Sequence, residues 1–140
     1  MKGIISLILL VFVCITSNGQ DLKCKKFKTG TFVIPGNENI PTSTLKRSKT
    51  SQFESITKED FMVLDIEWID DCNYILKINI EKTPVRRITN IEKEIDKAGG
   101  LRIEMLRTAN DTLFFRARAT INGKEYPIDG YQIKISKDYK

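Results

Sequence analysis

Residues 61–81 read FMVLDIEWIDDCNYILKINIE. On the first arm Met62, Leu64, Ile66 and Trp68 alternate with Val63, Asp65, Glu67 and Ile69. On the second, Tyr74, Leu76, Ile78 and Ile80 alternate with Asn73, Ile75, Lys77 and Asn79. Period two on both arms marks half-buried strands, because successive side chains point to opposite faces. Asp70, Asp71 and Asn73 lie between the arms, where short polar side chains bond their own backbone and favour a tight reversal. The stretch predicts an antiparallel hairpin with one apolar face, anchored by the chain's one tryptophan.

The same period recurs on both sides of that hairpin. Upstream, residues 24–34 (CKKFKTGTFVI) predict a first strand with Lys26 and Lys28 on one side and Phe27, Thr29, Thr31 and Val33 on the other. Gly30 inside it suggests a bulge or a close backbone approach, and Pro35-Gly36-Asn37 is a break. Residues 40–51 are rich in Ser and Thr and carry Lys46, Arg47 and Lys49. Strands through Leu45 and through Phe53 and Ile56 are compatible with this composition, joined by a turn near Ser48-Lys49. Their thin apolar face predicts edge strands; a mobile loop is the alternative.

Downstream, Thr83-Pro84 ends the hairpin. Thr89-Asn90-Ile91-Glu92 forms a capping box, Ile91, Ile95 and Ala98 follow at helical spacing, and Gly99-Gly100 supplies a stop. One short helix over 89–98 is expected, with its Ile face on the sheet. Leu101, Ile103 and Met105 open another strand, with a turn at Ala109-Asn110-Asp111. Leu113, Phe115, Ala117, Ala119 and Ile121 then alternate with Phe114, Arg116, Arg118 and Thr120. Asn122-Gly123 is a strong hairpin signal. The last strand covers 125–135, interrupted near Pro127 or Asp129-Gly130, with Tyr131, Ile133 and Ile135 expected inward and Gln132 and Lys134 outward. The fold class is therefore mainly β, an antiparallel meander of about eight strands curled into a small barrel or barrel-like sandwich. The helix near residues 89–98 would plug an end or cover a flank.

The N-terminus has the pattern of an export signal. Lys2 precedes an apolar run from Ile4 to Val13, and Ser17-Asn18-Gly19 supplies small residues for cleavage before Gln20. The run is shorter than the ~20 residues a bilayer anchor needs. A lipid-modified Cys14 is disfavoured, because Val13 stands where a small residue is required. Domains are thus a signal peptide, 1–19, and a single β-rich unit, 20–140, with no transmembrane anchor after cleavage. Taking 19 residues from 140 leaves 121, enough for one core. Lys2 is the only charge removed, so +5 becomes +4. That charge suits solubility and weak attraction to anionic surfaces, and is too small for a dedicated nucleic-acid binder. The protein is expected to be periplasmic or extracellular. Cys24 and Cys72 remain after cleavage, and an even count in an oxidising compartment suggests one disulfide; two buried free thiols are the alternative.

The block CKKFKTGTF (residues 24–32), with Trp68, Asp71, Cys72, Tyr74 and Leu76 in a W…DCxYxL block, resembles a group of small exported proteins of Gram-negative bacteria with no assigned function. Some of that group go under a DNA-topoisomerase name, yet this chain is short and carries no recognisable strand-cleavage or ATP-binding apparatus. The resemblance implies that both cysteines belong to shared motifs, which agrees with a bridge between them.

The chain has no histidine. That removes the usual general base, the Ser-His and Cys-His nucleophile pairs and the commonest transition-metal ligand. No phosphate-cradling glycine loop and no CxxC is present, so no cofactor and no metal site is implied. Asp65 and Glu67 share one strand face and are the best carboxylate pair, for which a histidine-free hydrolase is a distant reading; surface pairing with Lys77 is the plainer one. Asp70, Asp71 and Asn73 read as a turn rather than a Ca²⁺ loop.

A non-catalytic binding module is the leading functional expectation, with two candidate surfaces. Lys26, Lys28, Phe114, Arg116, Arg118 and Lys134 would form an outward basic stripe for an anionic glycan, lipid or envelope protein; a solvated, charge-balanced face is the plainer reading. Trp68, Tyr74, Phe115 and Tyr131 would line an interior for a small ligand, or would simply be core. An accessory envelope protein docking a partner is the other class considered.

Overall fold

The computed structural model describes residues 22–136; the export signal expected at 1–19 lies outside them. Eight antiparallel strands close into a barrel in sequence order. They are β1 (Gly30–Ile34), β2 (Ser43–Arg47), β3 (Ser51–Ser55), β4 (Phe61–Trp68), β5 (Asn73–Ile78), β6 (Leu101–Ala109), β7 (Thr112–Ile121) and β8 (Lys124–Ser136). One helix, α1 (Asn90–Lys97), lies between β5 and β6. Among the described residues no helix is long and apolar enough to cross a membrane.

The β4–β5 hairpin forms as its alternation requires. Trp68 faces Tyr74, Ile66 faces Leu76 and Leu64 faces Ile78, and Met62, Leu64, Tyr74 and Leu76 are buried. Ile80 falls beyond β5 and is exposed. Asp70 makes the reversal: its Oδ1 accepts from the Cys72 amide at 2.7 Å and from Asn73 Nδ2 at 3.0 Å.

The two ends of the barrel are built differently. At the β4–β5 turn, Cys72 is bonded to Cys24, with Cα atoms 5.1 Å apart. Residues 24–34 are not one strand, as their pattern suggested. Cys24–Phe27 is a 3₁₀ turn and the strand starts only at Gly30. The disulfide holds Cys24 against the barrel end, and Phe27, fully buried, folds under to stack on Phe32 with centroids 6.3 Å apart. Gly30 makes the corner between turn and strand at φ +131, and a Cβ there would meet Ser136 O at 2.6 Å. The residue marks a close backbone approach, not a bulge; the register of β1 against β8 shifts further on, between Thr31 and Phe32, where β8 carries the extra residue. This end is the floor.

The other end is the mouth, where β5 leads to α1. The capping box is complete: Thr89 Oγ1 accepts from the Glu92 amide at 3.2 Å, and Glu92 accepts from the Thr89 amide at 2.7 Å. Asp96 ties the helix to β5 by accepting from the Ile78 amide at 2.8 Å. The Ile face does not lie flat on the sheet as expected. Ile91 is 58% exposed and no residue of α1 is buried; only Ile95 reaches the barrel rim.

Two further expectations are corrected. β2 and β3 are neither edges nor a loop, because β2 pairs with β1 and β3 with β4. Their inward face has few apolar residues because Arg47 and Gln52 occupy it. On β8, Gln132 is buried while Tyr131 and Ile135 are 43% and 60% exposed, so its inward and outward sets are the reverse of those expected.

The buried arginine and the interior chamber

The inward positions of β2, β3 and β8 carry polar side chains in an otherwise apolar barrel. Leu45 and Arg47 alternate inward on β2, opposite Glu54 and Gln52 of β3. Arg47, Gln52 and Gln132 are each at most 2% exposed. Such groups are tolerated only when hydrogen-bonded, and these form a network. Arg47 Nε donates to Gln52 Oε1 at 2.6 Å, Nη1 to the Phe27 carbonyl at 2.8 Å and Nη2 to Gln132 Oε1 at 3.0 Å. Arg47 thereby fastens the 3₁₀ turn from inside. Its guanidinium carbon lies 4.7 Å from the Phe32 ring centroid and 5.1 Å from that of Tyr74, which recovers part of the lost hydration. Burial pushes the Tyr74 hydroxyl pKa up, more than the nearby charge of Arg47 lowers it.

The charge of Arg47 meets no carboxylate within 4.0 Å among the described residues. The nearest acid through the network is Glu54, which accepts from Gln52 Nε2 at 2.6 Å. Burial raises the Glu54 pKa, more than the Gln52 hydrogen bond and the charges of Arg47 and Arg87 lower it.

Above this network lies a chamber of about 140 Å³, bounded by Arg47 and Gln132 toward the floor and by apolar walls that include Leu45, Tyr74, Ile103 and Phe115. Glu54, Leu76 and Leu101 line both this chamber and a second hollow of about 130 Å³ beneath Ile95 and Asp96 of α1. Those three side chains stand between the chamber and the hollow, and α1 overhangs the mouth.

Of the residues expected to line an interior, Tyr74 and Phe115 do so. Trp68 is half-buried beside the floor, packed on Tyr74 with centroids 4.7 Å apart, its Nε1 donating to Lys49 O at 2.9 Å. Tyr131 is on the outside against Phe114, which corrects its inward assignment. Arg47, Gln52, Glu54 and Gln132 were missed, because polar residues in a Ser/Thr-rich stretch and a mixed final strand read as solvent-facing.

The expected basic stripe separates into two groups of paired charges. Near the floor, Lys26 meets Asp111 at 2.8 Å and Lys28 meets Asp71 at 2.9 Å, with the Lys28 ammonium 4.4 Å from the Trp68 ring. Lys134 does not point to solvent as expected; it turns under β1, donating to Thr29 O at 2.7 Å and to Lys26 O. On the β7–β8 flank, Arg116 forms a two-point contact with Asp129 at 2.6 and 2.9 Å, and Arg118 bridges Glu125 and Glu104. These contacts lower the Asp129 pKa and raise those of both arginines. Phe114 is covered by Arg107 at 3.8 Å.

Asp65 and Glu67 lie on the exposed outer face of β4. Asp65 accepts from Asn79 at 3.1 Å, and Glu67 meets Lys77 at 3.4 Å. No group of acids and cysteines among the described residues could hold a metal ion. No family model, no curated protein and no solved structure matches this chain.

Proposed function

We propose that this is an exported, non-catalytic β-barrel that holds a small ligand in its interior. One observation carries the reading: a chamber of about 140 Å³ lies between a buried polar floor and an overhanging helix. Barrels of eight strands are wide enough either to be filled by side chains or to hold one small ligand. Convergent polar groups at one end of an apolar space are what orient such a ligand. Export is supported by the N-terminal pattern and by the Cys24–Cys72 bridge.

Trp68 packs on Tyr74, which lines the chamber, so its fluorescence should report occupancy. Screening a panel of small lipids and glycans by Trp68 emission and by thermal melting should give at least one compound that shifts both. If none moves either signal, the interior is only a core and the proposal fails.

A further inference from the structure

We infer that the chamber takes a small apolar monocarboxylate, its carboxylate seated on Arg47 and its tail directed toward the mouth under α1. This rests on the interior-binding reading above and adds the chemistry of the ligand.

Arg47 is 1% exposed, and its three assigned hydrogen bonds all go to neutral oxygens. Removing a cation from water without an anion beside it is costly. Aromatic faces and amide oxygens compensate only in part. A guanidinium has five N–H donors in a planar fork, so two remain for a ligand. That fork matches a carboxylate, which accepts from two parallel N–H groups.

The walls set the rest of the molecule. Leu45, Leu76, Ile103 and Phe115 offer nothing to a second polar group. Arg47 is the one cation lining the chamber among the described residues, so a dianion such as a phosphate monoester would keep one charge uncompensated there. The volume, about 140 Å³, is close to that of an engineered apolar cavity of about 150 Å³ known to hold benzene. A six-carbon chain or a phenyl ring therefore fits, with Leu76 and Leu101 between it and the hollow under α1. Glu54 stands at this junction, separated from Arg47 by the Gln52 amide, where the tail rather than the carboxylate would pass. The competing account is that Arg47, Gln52 and Glu54 form a closed network that only fastens the floor.

The two accounts separate by calorimetry and thermal shift on the purified protein with matched probes: hexanoate and benzoate against hexanamide, benzamide and phenyl phosphate. The carboxylates are expected to bind at least about tenfold more tightly than their amides, the factor a charge-assisted hydrogen bond supplies over a neutral one. Phenyl phosphate should be weaker than benzoate. Ala117→Leu, which projects into the chamber, should abolish carboxylate binding, and Arg47→Met should remove the preference for carboxylate over amide. Where Arg47→Met does not fold, the wild-type comparison and Ala117→Leu decide the matter. Equal binding of acid and amide would overturn the Arg47 anchor and leave the interior-binding reading standing. Carboxylate binding that survives Ala117→Leu would place the ligand elsewhere and overturn both, and the absence of binding by every probe would overturn the carboxylate assignment.

Discussion

Replacing both Cys24 and Cys72 with serine should weaken the fold by about 4 kcal/mol. The bridge joins residues 48 apart. In the chain-entropy picture a closed loop of that size removes roughly 14 cal/mol/K from the unfolded ensemble, or about 4 kcal/mol at room temperature. In a domain of this length about 1 kcal/mol corresponds to roughly 4 °C, so the melting temperature should fall by about 15 °C. The consequence inside the barrel is specific. Cys24 and Phe27 belong to the same 3₁₀ turn, and the Phe27 carbonyl is one of the three acceptors of Arg47. Freeing the turn should therefore loosen the chamber floor as well as the chain. Urea unfolding, followed by Trp68 emission and by far-ultraviolet circular dichroism, would compare the oxidised protein with the double variant. The variant should also show a steeper denaturant dependence, since an uncrosslinked unfolded chain exposes more surface. A loss under about 1 kcal/mol with an unchanged slope would refute the reasoning. It would mean that packing around Phe27 and Phe32 alone holds the floor and that the loop is no freer in the unfolded state.

Other substitutions test the remaining parts. Because burial raises the Glu54 pKa above its ordinary value of 4.5, the folded state holds that proton more tightly than the unfolded one. Its contribution is full below the unfolded value and is lost as pH rises through the folded value. Glu54→Gln should therefore stabilise the protein relative to wild type more at pH 8 than at pH 4; an equal difference at both in urea melts would count against a raised pKa. Gly30→Ala should cost about 1–3 kcal/mol in the same assay, since it puts an L-residue at φ +131 with a Cβ 2.6 Å from Ser136 O; a neutral result would contradict the corner geometry. β8 meets β1 only through Ile133, Lys134 and Ser136, which leaves its first half as an open edge among the described residues. Pro127 interrupts the donors along that edge, so Pro127→Thr should increase self-association in sedimentation runs. A variant that stays at the wild-type sedimentation coefficient would show that the edge is protected in another way.

Period two and turn chemistry made the strand order legible. Each antiparallel neighbour is joined by a short connection, except between β5 and β6 where the helix intervenes, so the meander follows from the order of the runs. The capping box and the Asn122-Gly123 turn formed as written, the latter with φ of 51° and 74°. Closure was less legible. Whether eight strands join edge to edge depends on β1 meeting β8, through only three residue pairs, and no local pattern encodes a contact a hundred residues apart. The 3₁₀ turn was hidden for a related reason. Its conformation follows from Cys24 being held by Cys72 and from Phe27 having a hole to fill, and both are tertiary facts.

The inward polar residues are a different matter, because a turn signal places one of them. A two-residue hairpin fixes register: with Asn122-Gly123 as the loop, Ile121 must face Lys124, and every later pair is set. Counting back, Leu113 faces Gln132 and Phe115 faces Gly130, as found. Directly opposed residues share a face. Once Leu113, Phe115 and Ala117 are assigned inward by their clean alternation, Gln132 has to be inward too. The isoleucines at 133 and 135 argued the other way and lost, since hydrophobicity ranks faces while register joins them. On β2 and β3 the register sets Leu45 against Glu54 and Arg47 against Gln52, but no comparable turn signal announces it: a Ser48-Lys49 loop would have set Arg47 against Thr50 instead. Register therefore reaches Gln132 from the sequence, while Arg47, Gln52 and Glu54 turn inward on a register that no turn residue announces. An arginine and two glutamines buried in one small barrel cost more than an all-apolar core of the same volume. That excess is the physical argument behind the proposed interior site.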